Sequence, residues 1–317
     1  MPPPMDIPYD LHKLERYRDI IPDWPAFAEA ALAPLPTTLW VNTLRGDRDD
    51  IAAWLADDGV ASTPLSWYHR GLRLEPNAKP GKTFAFLTGA CHVQEEVSMM
   101  PIVLLDPQPG ESVLDLCAAP GNKSTQAAVH MEDRGCLIAC EVNEGRLGLI
   151  VRNVERMALT SIATLNANAG NLPREVGDFD RVLADVPCSC EGTTRKNPAL
   201  LHRPGMPPGS LAGSQISILR KAIQRCKPGG RILYSTCTYA PEENEAVVDT
   251  LLREENLRVR LLPARIDGIR GEPGLREWQG RSFLPELSAS LRLYPHLNDT
   301  GGFYIALLEK QPEERAA

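Results

Sequence analysis

The densest chemistry in the chain lies in ADVPCSCEGTTRKN, Ala184 to Asn197. This short span offers a carboxylate (Asp185), two thiols (Cys188 and Cys190) and two cations (Arg195 and Lys196). It follows a run, Phe179 to Val186, that reads as a buried strand and turns at Pro187. An acid, a sulfur nucleophile and cations at one strand end suit chemistry on a polar, electron-poor ring. The carboxyl ends of strands are also where open α/β sheets bind ligands. A second stretch, YSTCTYAPEENE (Tyr234 to Glu245), again ends a strand at a thiol, Cys237, just before a helix. A lone cysteine would read as inert packing. If the two strands are neighbours, however, Cys188 and Cys237 converge on one pocket beside Asp185.

A third stretch, VLDLCAAPGNKS (Val113 to Ser124), runs from a strand through small residues into a helix. Small residues let a ligand approach the backbone, and the helix N-terminus favours polar or anionic groups. It matches neither the dinucleotide fingerprint G-x-G-x-x-G nor the phosphate loop G-x-x-x-x-G-K-[ST], which disfavours NAD and ATP. Glu141 ends the next strand, CLIACEV, where an acid can accept hydrogen bonds from two ribose hydroxyls. An acid there without the dinucleotide glycines fits a mononucleoside ligand such as S-adenosylmethionine.

These residues need a scaffold. From about Val93, strands alternate with helices, which predicts an α/β fold with a mostly parallel, Rossmann-like sheet and helices on both faces. The expected strands are Ser112–Cys117, Cys136–Val142, Ile162–Ala167, Phe179–Val186, Arg231–Thr236 and Gly302–Leu308. The expected helices are Lys123–Met131, Gly145–Met157, Ser210–Cys226 and Pro241–Glu254, the last with Glu242 and Glu243 in its first turn. Leu261–Thr300, rich in Pro, Gly and Arg, reads as irregular chain over the strand tips. Before the sheet, residues 6–35 read as helical, and residues 36–92 as a small α+β docking unit. The expected domains are therefore 1–35, 36–92 and 93–317.

The composition is that of an ordinary globular protein: 317 residues, 43% hydrophobic and 24% charged. No apolar run approaches the ~20 residues that span a bilayer, and the N-terminus has no signal core. Eight cysteines without such a signal suggest reduced thiols in the cytoplasm. Cys136 and Cys140 read as core. Cys188 and Cys190 lack the second cysteine pair or nearby histidines of a zinc site, so no metal is expected. The net charge of −7 argues against indiscriminate nucleic-acid binding but not against a local basic surface. Two stretches supply one: Arg70 and Arg73 with Trp67 and Tyr68, and Arg195, Lys196 and Arg203. The first stretch is equally compatible with a solvated charged face.

CAAPGNK, ADVPCSCEGTTRKNP and YSTCTYAPEENE resemble the signature motifs of the Sun-type (RsmB/Nop) RNA cytosine methyltransferases. The likeness extends from HVQEEVSMMP to GGFYIALLEK. It implies transfer of a methyl group from S-adenosylmethionine to carbon 5 of a cytosine in rRNA or tRNA. By the same resemblance Cys237 is the nucleophile, Cys188 assists product release, and Asp185 and Lys123 hold and protonate the base. The donor would contact Cys117, Ala118, Ala119, Pro120, Gly121, Asn122, Lys123, Glu141, Arg146, Asn168 and Asp185. The chemistry accounts for this inventory: a thiolate adding to carbon 6 makes carbon 5 nucleophilic, and an acid at ring nitrogen 3 assists the addition. Nearby cations favour that thiolate, Lys123 being the first candidate.

Three positions depart from the family pattern. Asn168 replaces an acid, which implies weaker donor binding; Glu141 replaces the commoner Asp; and Cys190 stands where Gly is usual. His296 and Asp299 either read the base's exocyclic amine or cap a turn. Methylation of a nitrogen would want an aromatic after paired prolines, which Val186-Pro187-Cys188-Ser189 lacks. A silent ribosome-assembly factor would have no use for the thiol pair. A monomer is the simplest expectation.

Overall fold

The computed structural model describes residues 11–202 and 206–312, so Arg203 and the start of the 6–35 helical reading lie outside the described residues. A 3-10 turn (His12–Tyr17) and helix α1 (Trp24–Leu32) lead into a small sheet. Its strands are β1 (Thr38–Val41), β2 (Ser62–Pro64), β3 (Gly71–Leu74) and β4 (Cys91–Val93), in the order β2-β3-β1-β4 and all antiparallel. Helix α2 (Arg48–Asp57) covers it, with Ile51 and Leu55 packed on Leu39, Val41 and Leu72. Asp47 starts that helix by accepting from the amides of Asp49 and Asp50, both at 2.9 Å. A short helix, α3 (Phe84–Leu87), precedes β4.

The larger sheet follows, with helix α4 (Glu96–Leu105), β5 (Ser112–Asp115), α5 (Asn122–His130), β6 (Cys136–Glu141), α6 (Glu144–Met157) and β7 (Ile162–Asn166). Then come β8 (Phe179–Asp185), α7 (Ala212–Arg225), β9 (Cys226–Thr236), α8 (Glu245–Leu252) and β10 (Val259–Leu262). The chain ends with β11 (Glu272–Pro273), the small hairpin β12 (Glu277–Trp278) and β13 (Arg281–Ser282), β14 (Leu291–Leu293), α9 (Pro295–Asn298) and β15 (Phe303–Lys310). The strand order is β11-β14-β15-β9-β8-β5-β6-β7, with β10 also paired to β15. The pairings from β7 to β9 are parallel, and those of β10, β11, β14 and β15 are antiparallel.

Side chains alternate across this sheet as a period of two requires. In β9, Ile232 and Tyr234 pack with Leu219 of α7 and Val247 of α8. Leu233, between them, packs instead with Met100 of α4, Ala127 of α5 and Ile150 of α6. Helices therefore cover both faces. The chain winds outward from β5 to β7 and then returns to place β8 against β5. That reversal is the switch point where α/β sheets leave a crevice at their strand ends.

Several elements differ from the sequence reading. Leu261–Thr300 is not loose cover: β11 and β14 extend the sheet inside it, and β10 overlaps its start. The strand pattern of β14 is hidden by Arg292, a charge only 2% exposed. Glu245 holds that charge through bonds of 2.6 and 2.5 Å. Helix α8 starts at Glu245, with Glu242 and Glu243 in the turn before it. Helix α4 was hidden by Pro101 in its interior. Cys140 is buried, but Cys136 is exposed.

Breaking a buried ion pair strands the remaining charge. Glu245→Gln is therefore expected to destabilise the protein by about 3–5 kcal/mol in urea unfolding. Pairing it with Arg292→Met should recover most of that loss. A single-variant loss below about 1 kcal/mol, the range of a surface pair, would contradict this account.

Candidate active site

The parallel register pairs Asp185 of β8 with Ser235 of β9, so the two strands end side by side. Ser235 Oγ donates to Asp185 Oδ1 at 2.7 Å. Just beyond, Cys188 Sγ lies 3.3 Å from Cys237 Sγ and accepts from the Cys237 amide at 3.3 Å. Cys190 Sγ lies 3.9 Å from Cys188 Sγ. The three sulfurs titrate as a group. Hydrogen bonds from Cys188 and then Cys237 draw the Cys190 thiol down to about 3. Cys188 is pushed up by its bond to Cys190, and Cys237 by its bonds to both, with burial adding to each.

Lys123, on the first turn of α5, donates to Asp185 Oδ2 at 2.7 Å and to Ser98 Oγ of α4 at 2.8 Å. Its hydrogen-bond partners are thus the carboxylate and a hydroxyl, where the sequence reading named it as a nearby cation for the Cys237 thiolate. Its ammonium also sits 5.6 Å from the Phe303 ring centroid. These groups face a cavity of about 630 Å³ whose lining includes Glu95, Ser98, Asp115, Cys117, Ala118, Ala119, Pro120, Asn122, Lys123, Asp185, Lys196 and Cys237. Gly121 adopts φ +99°, and a Cβ there would lie 3.1 Å from Ile150 Cα, so only glycine lets this turn close on α6.

At the far end of the turn, Glu141 is 4% exposed and accepts from the Asn143 amide at 2.9 Å. Arg146 reaches Glu141 at 3.3 Å and the Ala119 carbonyl at 2.9 Å. Asn168 uses Oδ1 to accept from the Gly170 amide at 3.0 Å. Glu141, Arg146 and Asn168 are not part of the cavity lining.

The matching family model is that of 16S rRNA methyltransferase RsmB/F, over residues 102–309. The chain belongs to the RsmB/F methyltransferase family. Residues 14–79 match the ferredoxin-like domain of the same family. A tRNA (cytosine(49)-C(5))-methyltransferase of Pyrococcus abyssi is 34% identical, over 94% of this chain and 95% of its own. A 28S rRNA (cytosine-C(5))-methyltransferase of Mus musculus is 38% identical over 90% of this chain, which spans 36% of that longer protein. A solved methyltransferase homolog from Pyrococcus horikoshii superposes with a TM-score of 0.82 at 34% identity, covering 96% of each chain.

In this RsmB/F-family chain the two basic stretches divide. Arg195 is 6% exposed and donates to the carbonyls of Ala33, Pro34 and Thr300 and to Asp299 Oδ1. It is a strut between the N-terminal segment and the turn before β15, not an exposed cation; Lys196 beside it is exposed. Arg73 is likewise committed, to Glu96 at 2.8 Å and Asp299 at 3.1 Å. Arg70 is half-buried and donates to the Val129 carbonyl at 3.3 Å. His296 packs among Phe27 and Tyr294, and Asp299 pairs with Arg73 and Arg195.

Sequence reasoning missed Ser98, Ser235, Glu95 and Asp115. Ser235 was inside the quoted YSTCTY motif, and Asp115 inside VLDLC. Buried Glu243 was read as a helix charge, yet it accepts from the Ser189 amide at 3.0 Å and from Gln215 at 2.8 Å.

Asp115 accepts from Ser124 Oγ at 2.6 Å and from the Cys117 amide at 3.3 Å. Burial pushes its carboxyl up to about 6. An unfolded Asp titrates near ~3.9, so this group's stability contribution is intact below that pH and is lost as pH rises through about 6. Relative to wild type, Asp115→Asn should therefore gain about 2 kcal/mol between pH 4 and 7 in urea unfolding. A difference that does not change with pH would contradict the assignment.

Proposed function

We propose that this chain methylates carbon 5 of a cytosine in rRNA or tRNA, using S-adenosylmethionine and a covalent Cys237–cytosine adduct. The observation that carries this reading is the 3.3 Å approach of the Cys188 and Cys237 sulfurs beside the Lys123–Asp185 pair. The named activities of the rRNA and tRNA relatives support the same chemistry.

The residues present fit the donor. Ala118 and Ala119 leave the cavity open along the turn, and the Glu141 carboxylate stands at the end of β6 as an acceptor for ribose hydroxyls. Asn168 is oriented by its own cap to the Gly170 amide. When bound, S-adenosylmethionine supplies an electrophilic methyl group.

The protein's own residues do the rest. Cys237 gives its proton to the neighbouring Cys190 thiolate, and its sulfur forms a bond to carbon 6 of the ring. The electron pair displaced toward nitrogen 3 takes a proton from the Lys123–Asp185 pair. Ser98 and Ser235 hold that pair in place through bonds of 2.8 and 2.7 Å. After carbon 5 has been methylated, its proton passes to water in the cavity, the freed electron pair re-forms the ring double bond, the bond from carbon 6 to sulfur breaks, and Cys188 gives a proton to the departing Cys237 sulfur 3.3 Å away. A paired base must first be flipped out of its stack. Lys196 at the cavity, Arg70 and the small antiparallel sheet would guide the RNA to it.

RNA carrying 5-fluorocytosine cannot lose the group at carbon 5, so the adduct persists. With the methyl donor present, wild type is expected to form an adduct stable in denaturing gels. Cys237→Ala should form none and lose methyl transfer by more than about a thousandfold. Cys188→Ala should still form it. An adduct that survives Cys237→Ala and vanishes in Cys188→Ala would assign the nucleophile to Cys188.

A further inference from the structure

We propose that Cys188, Cys190 and Cys237 form a binding site for one thiophilic d10 cation, of the zinc, cadmium or copper(I) class, whose occupation blocks methyl transfer. The blocking half of the proposal rests on the function assigned above; the binding half does not. The sequence set zinc aside because Cys188 and Cys190 have no second cysteine pair nearby. The fold brings in a third sulfur from the end of the neighbouring strand.

All three sulfurs lie within 4.8 Å of one another, and none is in a disulfide. A metal–sulfur bond of about 2.3 Å at tetrahedral angles sets sulfurs about 3.8 Å apart. The separations of 3.3 and 3.9 Å fall on either side of that spacing, and the third, from Cys190 to Cys237, is within 4.8 Å, so closing on one ion draws that pair together by at most about 1 Å. Cys237 lines the cavity, which gives an ion its path in and leaves a coordination position for water.

The donor set is soft. The neighbouring carboxylates are already occupied: Glu191 by Ser189 Oγ at 2.7 Å, Tyr17 Oη at 3.0 Å and the Thr238 hydroxyl, and Asp185 by Lys123 Nζ and Ser235 Oγ, both at 2.7 Å. Sulfur alone remains, which selects thiophilic ions over magnesium or calcium. Entry of a divalent ion forms three metal–sulfur bonds and expels the remaining thiol protons to water, so binding tightens as pH rises. With its sulfur bound to the ion, Cys237 is fixed away from carbon 6 and gives electron density to the metal, which lowers its nucleophilicity.

The full chain, reduced and freed of metal, is titrated with Cd²⁺ without RNA, and thiolate-to-metal charge-transfer absorbance is followed in the ultraviolet. The expected result is saturation at one equivalent. Cys190→Ala should weaken binding by more than about tenfold. Exposed Cys136, changed to Ser, should leave it as in wild type. In the methyl-transfer assay, one equivalent should abolish the wild-type rate and a chelator should restore it. Each variant is scaled to its own metal-free rate, so inhibition of Cys190→Ala should need correspondingly more metal. No stoichiometric binding, binding indifferent to Cys190→Ala, or a thiol loss reversed only by reductant would overturn the proposal. Binding without inhibition would overturn its blocking half. Absence of any metal-free activity in the wild type would instead fall on the function assigned above.

Discussion

The site depends on one pairing: Asp185 of β8 beside Ser235 of β9, in parallel and in register. Parallel strands end at the same edge of a sheet, so the turns that follow them leave from adjacent points. Those turns carry Cys188 and Cys237, and the strands themselves bring the carboxylate and the hydroxyl that orients it. A slip of one residue would turn Asp185 to the other face and separate it from Lys123. Residues from α4 (Ser98) and α5 (Lys123) then complete the site from above the β5 tip.

Buried polar groups hold the two turns in that relation. Glu243 is fully buried and accepts from the amides of Ser189 and Gly209 and from the Gln215 side chain. Glu191 joins Ser189 to Thr238 across the two turns and reaches back to Tyr17 near the N-terminus. Arg195 ties the same region to the carbonyls of Ala33, Pro34 and Thr300. Each buried charge has its partners, as a low-dielectric interior requires. The N-terminal segment is thereby part of the catalytic scaffold.

Much of this was legible in the sequence, for identifiable reasons. The parallel strands are apolar runs ended by Gly, Pro or polar residues, and the helices between them have clear periodicity. Several of the elements that escaped notice break a local rule: Pro101 inside α4, Arg292 inside β14, and strands of two residues such as β11. Among site residues, cysteines and lone acids in turns stand out by type. Ser98 and Ser235 do not, and Arg195 stood out as a surface cation instead of a strut, because these roles come from contacts across long sequence separations, as with Arg195 and Thr300. Charge alone could not separate a strut such as Arg195 from the exposed Lys196 next to it.

A sheet edge that gathers two thiols and a carboxylate–ammonium pair beside one cavity supports the proposed chemistry at carbon 5 of a cytosine. The most direct measurement incubates the protein with RNA and a donor labelled in its transferable methyl group, then digests the RNA and separates the nucleosides. The account predicts label in 5-methylcytidine with wild-type protein and none with Cys237→Ala. Label in a nitrogen-methylated nucleoside, or undiminished transfer by Cys237→Ala, would contradict it.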